Sequence, residues 1–157
     1  SFAGELSEWD VSSVIDMTHM FMSAASFNGD LSNWDVSGVT DMSYMFMRAT
    51  SFRADLSKWD VSKVTLMPAM FRWTTFNSDI SKWDVSSVSN MHSLFMNAPT
   101  FNIDISKWDV SSVVTMDYMF WHWQATLFKQ KLCGPAWKHS KVFTACSLVT
   151  SGFSSSI

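Results

Sequence analysis

The tetrapeptide Trp-Asp-Val-Ser occurs five times, at Trp9 to Ser12, Trp34 to Ser37, Trp59 to Ser62, Trp83 to Ser86 and Trp108 to Ser111. The spacings between copies are 25, 25, 24 and 25 residues. Matching positions run around it: Phe27, Phe52, Phe76 and Phe101, and Met-Phe or Leu-Phe pairs ending at Phe21, Phe46, Phe71, Phe95 and Phe120. A unit this short cannot bury both of its faces, so the repeat restricts the chain to copies of one unit stacked around a shared core. The one-residue contraction falls between Phe71 and Phe76, in a connecting segment where length is cheapest to change. Abnormal counts of 12 Met and 9 Trp follow from reuse of the unit.

The apolar spacing suggests how each unit is built. Leu31, Trp34 and Val36 reproduce the L-x-x-L-x-L pattern of leucine-rich repeats with Trp in the second place, and the other copies carry equivalent triplets. Trp and Val at alternate positions predict a short strand with that face inward. Segments such as Met42, Met45 and Phe46 have the i, i+3, i+4 spacing of one helical face, with Asp16, Asp41, Asn90 and Thr115 placed as N-caps. Leu66 breaks that cap in the third copy. The expected fold is therefore an α/β repeat solenoid. It is a leucine-rich-repeat-like right-handed coil with a parallel β-ladder on one side and short helices on the other. A closed parallel β-helix with little helix is its nearest competitor. Residues 1–126 form the five repeats, starting in mid-repeat without an N-terminal cap. Residues 127–157 form a degenerate repeat and C-terminal cap with a Ser-rich tail, in which Leu132 and Trp137 echo Leu31 and Trp34.

Composition excludes several classes. With 157 residues, 47% apolar and 16% charged, the chain is one domain's worth of foldable sequence and not a disordered one. No run approaches the ~18 apolar residues of a membrane span. A net charge of −3 argues against a nucleic-acid footprint.

The string from Phe27 to Phe46, Phe-Asn-Gly-Asp-Leu-Ser-Asn-Trp-Asp-Val-Ser-Gly-Val-Thr-Asp-Met-Ser-Tyr-Met-Phe, strongly resembles the repeat of the BspA-like leucine-rich surface-protein family. The resemblance covers about residues 2–126 in five copies. It implies a secreted or cell-surface protein that adheres to, or recognises, a protein or glycan of a host or matrix. The family brings no shared catalytic residues.

Several residue groups are candidates for function. Asp10, Asp35, Asp60, Asp84 and Asp109 form one column, and stacked carboxylates ~5 Å apart repel by roughly 1 kcal/mol per pair even in water. Either backbone N–H groups and nearby serines offset this, as in Asx-turns, or a row of calcium ions does. Glu5, Asp30, Asp55, Asp79 and Asp104 form a second acidic column, read as structural. Lys58, Lys82 and Lys107 stand in a column expected beside Asp60, Asp84 and Asp109. The mixed-charge face they make is either a site for a polar polymer or a solvated surface. Arg72, Trp73, Trp121 and Trp123 interrupt the repeat with residue types enriched at binding hot spots, although covering the edge of the core would also explain them. The M-x-x-M pairs, such as Met17/Met20 and Met42/Met45, suit Cu(I) in principle. Their recurrence once per unit fits core filling better.

Nothing points to catalysis. His19, His92, His122 and His139 occupy unmatched offsets, and no G-x-S-x-G, phosphate-cradling glycine loop or H-E-x-x-H occurs. There is no N-x-[ST] sequon. Cys133 and Cys146 both fall in the final segment, which suggests a disulfide locking the cap in an oxidising, extracellular setting, with two reduced thiols as the alternative. The mid-repeat start means either that upstream sequence is missing or that this edge meets another molecule, and head-to-tail contact there would build an extracellular filament. Binding to an ordered surface such as ice ranks below both readings, because the outward columns are Asp, Ser and Lys without a regular Thr array.

Overall fold

The computed structural model describes residues 6–122, 129–132 and 137. One repeat makes one coil. Taken from the Leu or Ile ahead of each tryptophan, the coils span 6–30, 31–55, 56–79 and 80–104, with a fifth from 105. Successive coils lie against one another, so that residues one repeat apart are neighbours throughout.

The leucine-rich-repeat-like α/β architecture does not form. Among the described residues there is no β-strand and no helix of a full turn, and the backbone is a succession of turns. Apart from the exposed Trp9, the tryptophan and valine of each copy are buried and the intervening aspartate is exposed, yet the segment closes on itself. Trp59 N–H donates to the Leu56 carbonyl at 3.1 Å, and Val64 N–H to the Val61 carbonyl at 2.9 Å. Donors spent within four-residue turns are not available to a ladder. The parallel β-ladder shrinks to one bridge per coil, running Asp16, Asp41, Leu66, Asn90, Thr115. These are the residues placed as helix caps by the sequence pattern, together with the cap-breaking Leu66.

The short helices fail for a backbone reason. His19, Tyr44, Ala69, Ser93 and Tyr118, and four places later Ser23, Arg48, Trp73 and Asn97, have φ between 52° and 63°. A left-handed residue ends a right-handed helix. Here it stands third in a β-turn, the place where a type II turn needs positive φ. Met20 N–H thus bonds back to the Met17 carbonyl at 3.3 Å, and Ala24 N–H to Phe21 at 3.1 Å. The alternate residues Met17, His19, Phe21 and Ser23 donate to the next coil, onto the carbonyls of Asp41, Ser43, Met45 and Met47 at 2.7–3.0 Å. The second coil repeats this toward Leu66, Pro68, Met70 and Arg72. Half of this segment's N–H groups close turns and half join coils, leaving none for an i−4 helix.

Side chains complete the stack. Phe21, Phe46, Phe71, Phe95 and Phe120 stack in one column with ring centroids 5.4–5.9 Å apart. Phe27, Phe52 and Phe76 form a second column at 5.9 Å, and each phenylalanine stacks within its own coil on a ring of the first column. Each tryptophan reaches back one coil. The indole N–H of Trp34, Trp59, Trp83 and Trp108 donates to the carbonyl of Leu6, Leu31, Leu56 and Ile80 at 2.8–3.1 Å. Trp137 repeats the bond onto Ile105 at 3.2 Å, which places Trp137 in the same column in spite of its irregular spacing.

The shortened third repeat keeps its register by a side-chain substitution. In the other coils the second phenylalanine bonds back to an alanine carbonyl, as Phe52 N–H does to Ala49 at 3.0 Å. Phe76 N–H instead meets the hydroxyl of Thr74 at 3.4 Å, and that hydroxyl donates to the Phe71 carbonyl at 2.8 Å. Thr74 is buried at 1% exposure. A side-chain oxygen stands where a backbone oxygen is missing.

Candidate functional site: a charged groove along the coils

Serine and aspartate shape the outer surface through Asx-turns, which bond a side-chain oxygen to the N–H two residues on. Asp10, Asp35, Asp60, Asp84 and Asp109 each accept the N–H of the serine two residues on, Ser12, Ser37, Ser62, Ser86 and Ser111, at 3.0 Å. The serine hydroxyl first, and this N–H second, hold their carboxyls below the usual range. Asp30, Asp55, Asp79 and Asp104 accept the N–H of Ser32, Ser57, Ser81 and Ser106 at 2.9 Å, and their carboxyls are lowered by that bond before any other cause. Both columns answer their internal repulsion through local donors. Among the described residues no three His, Cys, Asp or Glu side chains converge as a metal set.

The lysines lie beside a different column from the one their sequence spacing suggests. Lys58 acts on Asp55 and Asp30, Lys82 on Asp79, and Lys107 on Asp104, in each case favouring the carboxylate. Asp60 is served by Lys63. The cause is the turn from Leu56 to Trp59, which has Ser57 and Lys58 at its centre and Asp55 at its mouth. It swings the lysine back toward the preceding aspartate instead of onto a strand face shared with Asp60.

Between these columns runs an open groove. One stretch of about 510 Å³ is lined by Asp55, Ser57, Lys58, Ser78, Asp79 and Lys82. An adjoining stretch of about 340 Å³ is lined by Asn28, Gly29, Asp30, Ser32, Ala54, Asp55 and Lys58. Asp55 and Lys58 belong to both, so the groove draws its lining from the first four coils. Ser78 donates its hydroxyl to Asp55 Oδ1 at 3.3 Å across one coil boundary. Neighbouring coils are also tied by asparagine amides that the repeat pattern hides. Asn28 Oδ1 accepts the N–H of Arg53 at 2.7 Å, Asn77 that of Asn102 at 2.8 Å, and Asn102 that of Lys129 at 2.9 Å. The signal for them was the asparagine directly after Phe27, Phe76 and Phe101.

The other candidates do not join this groove. Asp60, Asp84 and Asp109 are exposed in their own column. Arg72, Trp73 and Trp121 are half-buried on the segment after the Met-Phe pairs, where Arg48 N–H donates to the Arg72 carbonyl and Asn97 N–H to Trp121, both at 2.9 Å. Beside them His122 is half-buried, and burial lowers its pKa. Trp123, Cys133 and Cys146 lie outside the described residues, as does most of 127–157.

The family described as "Mycoplasma protein of unknown function, DUF285" matches the chain twice, over residues 1–75 and 54–155. The chain belongs to this family. In this DUF285 chain the two matches overlap across the third coil, so the family unit is itself several coils long. No curated protein and no solved structure matches the chain. Among the described residues of this DUF285 chain, no helix is long and apolar enough to cross a membrane.

Proposed function

We propose that the chain is a non-enzymatic recognition module working outside the cell, and that the groove along Asp30, Asp55, Asp79, Lys58 and Lys82 holds an extended neutral glycan. The observation that carries this reading is the pairing of carboxylates and ammonium groups along a single groove. A polyanion would meet the aspartates and a polycation the lysines. Sugar hydroxyls can donate to the first and accept from the second. Its Asp–Ser–Lys lining recurs from the coil of Lys58 to that of Lys82, as a polysaccharide recurs with each sugar, and weak contacts along such a polymer add through effective concentration. The resemblance of the repeat to BspA-like surface proteins supports the extracellular setting and an adhesive role.

The test is an array of glycans and proteins probed with the whole chain, followed by titration of any ligand against Lys58→Ala, Lys82→Ala and Asp55→Asn. All three residues are exposed, so the variants should fold like the parent. Each is expected to weaken glycan binding by about tenfold, the cost of one hydrogen bond to a charged group. A ligand that binds the variants as tightly as the parent, or an array on which only proteins bind, overturns the reading.

A further inference from the structure

Charge is divided between two arcs of each coil. Residues 17–29, 42–54, 67–78 and 91–103, which run from the Met-Phe segments past the second phenylalanine, carry no Asp, Glu or Lys. They carry every arginine of the chain, Arg48, Arg53 and Arg72. The lysines keep company with the aspartates instead. The charged neighbours that act on Asp30, Asp55, Asp60, Asp79 and Asp104 are lysines and other aspartates, and none is an arginine. On a chain of net charge −3, the three guanidinium groups thus stand apart from the acids that could neutralise them.

The stack gathers these arginines in its second and third coils. Arg48 N–H donates to the Arg72 carbonyl at 2.9 Å. Arg48 and Trp73, with φ of 63° and 62°, hold the same place in consecutive coils. Arg53 Nε donates to the Thr75 hydroxyl at 3.2 Å, and that hydroxyl donates to the Thr50 carbonyl at 2.8 Å. This relay holds the Arg53 side chain against the third coil, close in sequence to Trp73. Arg48 and Arg53 are exposed, whereas Arg72 is half-buried with its Nε enclosed and without an acceptor. Burying part of a guanidinium without a partner is unfavourable, so the fold itself gives no reason for an arginine there. Met47 and Met96, both half-buried, are its counterparts in the coils on either side.

We propose that this patch of arginine, tryptophan and methionine is an interaction surface for an acidic peptide segment of a partner protein, with apolar side chains set between its carboxylates. Arg, Trp and Met are enriched at the centre of protein interfaces and Lys is depleted, which is how these residues are sorted between the two arcs. Guanidinium forks take carboxylates in bidentate pairs. Trp73, Met47 and Met96 add apolar contact that a bare polyanion cannot use. The surface lies in mid-stack, with a described coil on each side. It rests on no part of the glycan reading, whose lysines and aspartates take no part in it.

Fluorescence anisotropy of the whole chain with labelled synthetic peptides of Glu interspersed with Phe or Leu tests this. The comparison ligands are polyglutamate, inorganic polyphosphate and the same peptides with Lys in place of Glu. The acidic-apolar peptides are expected to bind about tenfold or more tightly than any of these, and less tightly as salt rises. Arg48→Gln and Arg53→Gln, at exposed positions, are each expected to weaken that binding by about tenfold. Lys63→Gln, exposed outside the patch, should bind like the parent. Failure of the acidic-apolar peptides to bind at millimolar concentration, equal binding of polyglutamate or polyphosphate, or arginine variants that bind like the parent would each overturn the proposal.

Discussion

At the residue scale the unusual element is the set of nine left-handed positions, among the described residues, that are filled by His, Ser, Tyr, Arg, Ala, Trp and Asn rather than by glycine. An L-residue in that region costs about 1–2 kcal/mol. It is tolerated because the N–H groups of His19, Ser23, Tyr44, Arg48, Ala69, Trp73, Ser93 and Asn97 donate to the next coil, as Tyr44 does to Pro68 at 2.9 Å and Arg48 to Arg72 at 2.9 Å. Where the side chain contributes little, glycine should do better. Ser23 is exposed with φ 61°, so Ser23→Gly is expected to stabilise the chain by about 0.5–1 kcal/mol, less the extra freedom of glycine in the unfolded state. Ala25→Gly, exposed two residues on and without positive φ, should destabilise by a similar amount. Urea midpoints of the two variants check both signs. These positions also explain why helices read from the Met-Phe segments do not exist. Apolar spacing records which side chains face inward, and a series of turns can satisfy that spacing as well as a helix can. Tyr44, Arg48 and Trp73 carry no sign of positive φ, because only glycine and asparagine advertise it.

At the scale of one coil, the tryptophan ties the unit to its predecessor. Trp83 is 4% exposed, stacks at a tilt on Phe71 with centroids 6.3 Å apart, and donates to the Leu56 carbonyl at 3.0 Å. Trp83→Phe removes that donor, leaves the Leu56 carbonyl with the Trp59 N–H alone and opens a void where the larger ring was. The expected loss is about 2–4 kcal/mol, read by thermal or chemical denaturation. At this scale the sequence was easiest to read. Leu31, Trp34, Val36, Met42 and Phe46 are all buried, as their recurrence requires, and Leu132 and Trp137 were visible as echoes in spite of the residues inserted between them. The groove was only half legible. Lys58 and Lys82 stood out as between-copy differences, but their partners are Asp55 and Asp79, because a turn, unlike a strand, does not set alternate residues on one face. The coil-linking amides of Asn28, Asn77 and Asn102 escaped notice for want of any charge or apolar pattern.

At the scale of the whole molecule, the aspartate turns couple stability to pH. Ten aspartates, namely Asp10, Asp16, Asp30, Asp35, Asp55, Asp60, Asp79, Asp84, Asp104 and Asp109, have carboxyl pKa values below the ordinary one because serine or threonine hydroxyls and N–H groups favour the charged form. A carboxyl with a folded pKa lower than its unfolded value of about 3.9 favours the folded state at higher pH. That contribution is complete above the unfolded pKa and disappears as pH falls through the folded values. Stability is therefore expected to be nearly flat above about pH 5 and to drop steeply below about pH 4, with proton uptake on unfolding. Urea titrations at a series of pH values check this. A profile flat down to about pH 2 would mean that the turns survive without their charges.

The hydroxyl of Thr74, standing in for a carbonyl, bears on how such a gene can change. A deletion inside a stacked unit would ordinarily throw every later layer out of alignment. Here a single threonine absorbs the lost residue, and the fourth coil resumes its place over the third as though nothing had been removed. One residue can thus be dropped from a coil without loss of register where a short hydroxylated side chain reaches the acceptor position.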